Sequence, residues 1–320
     1  MGGDNESTRE EKLLIPSPML FDESTLRKLE QLSLVASRVR AGQMKGERRS
    51  TKRGTSIEFA DYRDYVRGDD LRRVDWNIYA RLERPFIKLF EEEEDLSVHV
   101  LLDASRSMNY PEGDNAKERN KFFFGLRLAA ALGHIALGTG DRLTVTAFHG
   151  DAVGSAASPA RLGPVRGRGN SFRLIKFLTD LNADGNTDLD RSLKDYVVAH
   201  NRAGLAFLIT DLFSPSGYES GVTALQSKGY EVGILHLLAP EEIEPPLAGD
   251  LRLIDIETGD PQDVSVDNSL RDIYKRRVQG WRDEIESYCL KRGVHYIPVT
   301  TNTKWDEIVL YNMRRMGVVK

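Results

Sequence analysis

Along this chain the apolar positions change rhythm near residue 86. Downstream of it, short apolar runs alternate with stretches of helical period. Leu96 to Leu102 is nearly all apolar, as expected of a central parallel strand covered on both faces. Arg142 to Phe148, Ala206 to Thr210, Val232 to Leu238 and Val294 to Val299 read as further strands, and Phe86 to Phe90 as a short one before them. Between them the pattern predicts helices over 121–137, closed by Gly138 and Gly140, and over 170–181, 189–199, 217–228, 270–292 and 305–316. Strands separated by helices of this length mean βαβ units and a mostly parallel sheet. The runs 251–257 and 263–266 flank Thr258-Gly259-Asp260-Pro261 and read as an inserted hairpin.

Upstream the pattern is weaker. Residues 1–19 are polar and expected to be disordered. From Asp22, an N-cap residue type, Leu26, Leu29, Leu32 and Val39 recur near one face and predict an amphipathic helix that Gly42 ends. Residues 42–54, rich in Gly, Arg, Lys and Ser, read as a mobile linker. From Ile57 to Trp76 aromatic and charged residues alternate without a lasting helical or strand period, and Gly68-Asp69-Asp70 is a turn signal. Such a stretch is expected to pack across a domain surface, with Phe59 and Trp76 buried. The expected organisation is a disordered start at 1–19, an N-terminal extension over 20–95 packed on the main domain, and a doubly wound α/β domain over 96–318.

Composition narrows the function classes. Hydrophobic residues make up 40% and charged residues 29%, ordinary for a globular protein. A formal net charge of -4 gives no general affinity for nucleic acid or acidic membranes, and the basic run from Arg48 to Arg53 reads as a solvated loop. The single Cys289 allows no intrachain disulfide and is expected to be a packed thiol in a reducing, cytoplasmic setting. The first residues lack the pattern of a signal peptide, and no window is expected to approach the ~18–20 apolar residues of a membrane span.

The candidate chemistry sits directly after the first buried strand, in Asp103-Ala104-Ser105-Arg106-Ser107. In open α/β sheets the ligand crevice lies outside the carboxyl ends of the strands. A carboxylate and two hydroxyls spaced by two emerge there, and hard oxygen donors of mixed charge suit magnesium. Alone, this spacing is also that of a loop whose serines cap a helix. Two further pieces join it: Asp184-Gly185-Asn186-Thr187-Asp188, between two helices, and Asp211, at the carboxyl end of a second buried strand. Histidines form no metal-ligand pair, so zinc is not expected. His134 and His149 could serve Ser105 or Ser107 as bases by chain order only.

This trio of loops resembles the metal-ion-dependent adhesion site of von Willebrand factor A domains. Asp103, Ser105 and Ser107 match its first loop, Thr187 its second and Asp211 its third. Glu58-Phe59-Ala60-Asp61-Tyr62-Arg63, Gly68-Asp69-Asp70, Val74-Asp75-Trp76 and Lys88-Leu89-Phe90-Glu91 resemble the signature of the bacterial family known as domain of unknown function 58, over roughly residues 45–318. The insertion Asn109 to Ala116 departs from ordinary A domains, and the membrane-spanning N-terminal helices of many relatives are not matched here. The resemblance implies binding rather than turnover. It implies Mg2+, with Mn2+ or Ca2+ as substitutes, completing its coordination with an acidic side chain from a partner protein such as a MoxR-type AAA+ ATPase. Arg106, Met108, Asn186 and Leu212 would flank that contact.

Three function classes follow: a non-enzymatic metal-dependent adaptor, a Mg2+-dependent phosphoesterase, and a scaffold with a vestigial site. The adaptor is the expected one. A phosphoryl-accepting aspartate usually has a second aspartate two residues on, and here that position is Ser105. The chain also has no Gly-x-x-x-x-Gly-Lys-Ser/Thr loop, so ATP-driven work would come from elsewhere.

Overall fold

The computed structural model describes residues 28–29, 31–34, 57–92, 96–149, 159–254 and 261–315. The chain divides into two compact units, Ala41–Asp95 and the remainder. The expectations for 1–19, for the linker 42–54 and for most of the 22–41 helix fall outside the described residues.

In the smaller unit, β1 (Ile57–Asp64) pairs antiparallel with β2 (Phe86–Glu92) around α1 (Trp76–Leu82). A strand over 57–64 corrects the expectation of no strand period there. A register shift between Phe59 and Asp61 breaks the two-residue alternation by which a strand is read. Asp75 caps α1 by accepting from the N–H groups of Asn77 and Ile78, and Tyr62 donates its hydroxyl to the same carboxylate. Arg63 and Asp69 form a two-pronged ion pair at 2.7 and 2.8 Å. Trp76, expected to be buried, is 59% exposed. Glu91 and Glu92 extend β2 past the predicted end at Phe90.

The larger unit is built on a six-stranded sheet. Its strands are β3 (Ser97–Asp103), β4 (Arg142–Phe148), β5 (Ala160–Arg166), β6 (Leu205–Thr210), β7 (Glu231–Leu238) and, last in the sheet, the strand His295–Thr300. Between β7 and that strand, β8 (Gly249–Ile254) and β9 (Pro261–Val266) form the antiparallel hairpin, and the sixth sheet strand is therefore β10. Order across the sheet is β10-β7-β6-β3-β4-β5, parallel throughout except for β5. β5 went unpredicted because Gly163 and Pro164 interrupt it. An edge is where a strand tolerates proline.

Helices cover both faces. α2 (Lys121–Thr139) lies with α3 (Ser171–Thr179) over Val98, Val100 and Leu102. α4 (Leu189–Ala199), α5 (Glu219–Ser227) and α7 (Asn268–Arg292) cover Leu101, Ala206 and Leu208 on the other face, and a short α6 (Pro240–Ile243) follows β7. α2 is long and apolar enough to cross a membrane by composition, contrary to expectation, but 72% of that window is buried inside the fold. A helix apolar on all sides is a core helix when neighbours surround it. Gly140 ends it in the left-handed conformation.

Leu29, Leu32 and Leu34 also bury in this core. Residues 31–34 form a turn and a β-bridge rather than the middle of the expected helix, with Leu32 and Leu34 buried on either side of Ser33. The final helical stretch starts at Trp305 as expected but passes through a π-turn at Ile308–Asn312.

The topology reverses between β3 and β6. The chain runs outward from β3 to β4 and β5, then returns to β6 and runs outward the other way. Gly204 makes that return tight: a Cβ there would stand 2.0 Å from the Ser97 carbonyl oxygen, a backbone atom that cannot swing aside. Gly204→Ala is expected to cost about 3 kcal/mol, the scale of forced overpacking, read as a lowered urea midpoint.

Candidate metal centre

Asp103 is the last residue of β3, and Thr210 and Asp211 lie at the end of β6, so both carboxylates leave the sheet at its switch point. The first loop turns back on itself: the Ser105 N–H donates to Asp103 Oδ1 at 3.0 Å, and the hydroxyls of Ser105 and Ser107 meet at 3.1 Å. The second loop is zipped to the first by backbone bonds, Arg106 N–H to the Gly185 carbonyl at 2.8 Å and Asp184 N–H to the Ala104 carbonyl at 2.9 Å. Thr187 Oγ1 donates to the Phe148 carbonyl at 3.4 Å, and the same carbonyl accepts from Ala104 N–H at 2.7 Å. Across the switch point Thr210 Oγ1 donates to Asp103 Oδ2 at 2.7 Å. The three loops therefore meet at one edge, and Asp103, Ser105, Ser107, Thr187 and Asp211 are all buried.

Burying two carboxylates side by side is costly. Burial first, and then repulsion from Asp211, lifts the Asp103 carboxyl to about 6, against the hydrogen bonds from Thr210 and Ser105. Among the described residues no three His, Cys, Asp or Glu side chains cluster as a metal site. A cation at this edge would rest on two carboxylates and hydroxyl oxygens.

Three residues here escaped the sequence reading. Thr210 is one. Lys121, the first residue of α2, is fully buried and gives its ammonium to Asp211 Oδ2 at 2.7 Å and to Glu242 Oε1 at 2.6 Å. A cation at a helix N-terminus opposes the helix dipole, and that mismatch was the one clue in the sequence. Burial pulls the Lys121 amine down, but the two carboxylates outweigh it and hold it above the ordinary lysine range. Glu242, on α6, is raised by burial, against the opposing pull of the Lys121 ammonium.

Of the four residues expected to flank a partner, Arg106 and Asn186 are exposed. Met108 and Leu212 are not available in this conformation, because each fills a place in one of the two cores. Leu212 adopts a left-handed φ of 59°, held by its N–H bond to Thr210 Oγ1 at 3.0 Å. Cys289 is a packed thiol, pushed up to about 12 by burial.

Toward the other end of β3, His99 lies with Nδ1 2.7 Å from the Tyr196 hydroxyl. Burial, then the charge of His200, pulls its imidazole from 6.5 to about 4. The folded state keeps it neutral while the unfolded chain protonates at the higher value. The stability it contributes is thus present above pH 6.5 and lost as pH falls toward 4. Between pH 7 and pH 4.5 this is about 2–3 kcal/mol, and His99→Gln is expected to remove that part of the loss in urea unfolding. An unchanged slope would contradict it.

The strand order, the single antiparallel edge and the acidic switch point make this a doubly wound α/β protein of the von Willebrand factor A-like class. The chain belongs to the family described as Protein of unknown function DUF58, whose model matches residues 61–284. Uncharacterized proteins of Mycobacterium tuberculosis and Mycobacterium bovis are each 26% identical over 293 residues, covering 91% of this chain and 90% of theirs. Among solved structures, the conserved hypothetical protein BatB from Bacteroides thetaiotaomicron aligns at 14% identity over 69% of this chain and 98% of its own, with a TM-score of 0.40. An aerotolerance-related membrane protein from Bacteroides fragilis aligns at 15% identity over 69% and 100%, also at 0.40.

Proposed function

We propose that this protein is a non-enzymatic interaction module that captures an acidic side chain of a partner through a magnesium ion. The carrying observation is the convergence of Asp103, Ser105, Ser107, Thr187 and Asp211 at the switch point of the sheet. All five offer hard oxygens, and two carboxylates against a divalent ion leave a near-neutral shell that welcomes one more anion. The spacing supports the fit. Neighbouring oxygens on an ion with metal–oxygen distances of about 2.0–2.1 Å stand about 2.9 Å apart, and the Ser105 and Ser107 hydroxyls are at 3.1 Å. When bound, the metal would supply a Lewis-acidic point for a carboxylate. The chain's residues would hold it, orient it and, by burying the donors, exclude competing water.

The partner class favoured by the family resemblance is a MoxR-type AAA+ ATPase, which would supply the ATP-driven work that this chain lacks a loop for. The test is binding of such an ATPase to the immobilised chain in Mg2+, in chelator, and with Asp103→Ala. The adaptor reading expects at least a tenfold loss of affinity in the last two. Equal binding in chelator would favour a scaffold, and Asp103-dependent hydrolysis of a phosphate ester would favour a phosphoesterase.

A further inference from the structure

Lys121 is the feature of this edge that a plain two-carboxylate site does not explain. Its ammonium stands against the dipole of α2 and has no solvent, so it persists only through its partners. Those partners are fixed in place. Asp211 Oδ1 accepts from the Phe213 N–H at 3.1 Å, leaving Oδ2 to the lysine. Glu242 Oε2 accepts from the Ala239 N–H at 2.7 Å, and the Glu242 carbonyl accepts from the Tyr274 hydroxyl at 2.7 Å. The Phe213 ring lies 4.8 Å from the ammonium and the Tyr110 ring 6.0 Å. The backbone N–H of Lys121 is bound to the Tyr110 carbonyl at 2.8 Å, so the insertion after the first loop pins the lysine's position.

We propose that Lys121 is a positioning residue that occupies one face of Asp211, keeps this carboxylate from full direct ligation and limits the site's own hold on a divalent ion, so that a partner's carboxylate completes the binding. This rests on the metal-binding reading above. An ammonium and a divalent ion that share one carboxylate repel each other, and in a buried setting that repulsion is only weakly screened. Glu242 acts with the opposite sign. It draws the ammonium toward α6 and away from Asp211. The two residues should therefore move metal affinity in opposite directions, whereas a lysine that merely supports the fold would weaken binding from either side.

The test is calorimetric titration of the full chain with Mn2+ alone, comparing wild type, Lys121→Met, Glu242→Gln and Asp103→Asn. Lys121→Met is expected to bind at least about tenfold more tightly and Glu242→Gln at least about threefold more weakly. If wild type binds Mn2+ through Asp103 while Lys121→Met binds equally or more weakly, the proposal is overturned and the metal reading stands. If neither wild type nor any variant binds Mn2+, both fall. Should Lys121→Met fail to fold by circular dichroism, the double variant Lys121→Met with Glu242→Gln decides: tighter binding than wild type supports the proposal, and equal or weaker binding overturns it.

Discussion

Replacing Asp103 with asparagine is expected to lower divalent-metal affinity at least about a hundredfold while leaving the metal-free fold as stable as before, or more so. The two halves of this result have one cause. Asp103 is 2% exposed and faces Asp211, so its charge is paid for in stability unless a cation is present. Asparagine keeps the shape, can still accept from the Ser105 N–H and can meet Thr210. It removes the like-charge repulsion. The expected gain in unfolding free energy without metal is about 1–3 kcal/mol at pH 7, the scale of a carboxylate lifted by roughly two pKa units. Urea unfolding in chelator measures the gain, and metal titration the loss. A variant that lost both stability and metal affinity would mean that Asp103 serves the fold rather than a ligand.

Lys121→Met should give the largest loss of metal-free stability. Removing one member of a buried ion pair leaves the others uncompensated, which costs about 3–5 kcal/mol. Here two carboxylates, on buried Asp211 and half-buried Glu242, are left without the ammonium they share. Lys121→Met with Glu242→Gln leaves only Asp211 unpaired and should recover a large part of that cost. Thermal unfolding in chelator would read the difference as a low melting temperature for the single variant and a partial return for the double. Adding Mn2+ should then stabilise Lys121→Met more than it does wild type, because a ligand that binds the folded state more tightly stabilises it more at equal concentration.

Much of the sheet was legible because its strands are covered on both faces. β3, β6 and β7 are buried along their whole length, and such strands read as continuous apolar runs. β1 and β5 are a different case. A register shift in one, and Gly163-Pro164 on the exposed edge in the other, destroy the alternation that a strand is read by. Trp76 shows the limit of reading burial from residue type: its face of α1 is not covered within its own unit.

Asp103 and Asp211 could be found because the position of a ligand crevice follows from strand direction and connection order. Lys121 and Glu242 could not be paired in the same way. Their contacts join residues 90 and 121 positions apart, through a helix start and a short turn whose relative placement only the folded chain sets. A lysine opening an apolar helix with no acidic residue in its first turn was visible; what it answered to was not.

The most direct measurement is titration of the full chain with Mn2+, followed by the electron paramagnetic resonance signal of the free ion. Five oxygens from three loops closing on one cation predict one bound Mn2+ per chain, displaced by Mg2+ and lost in Asp103→Asn. A free-ion signal that rises from the first addition, or that is the same for wild type and Asp103→Asn, would contradict the account.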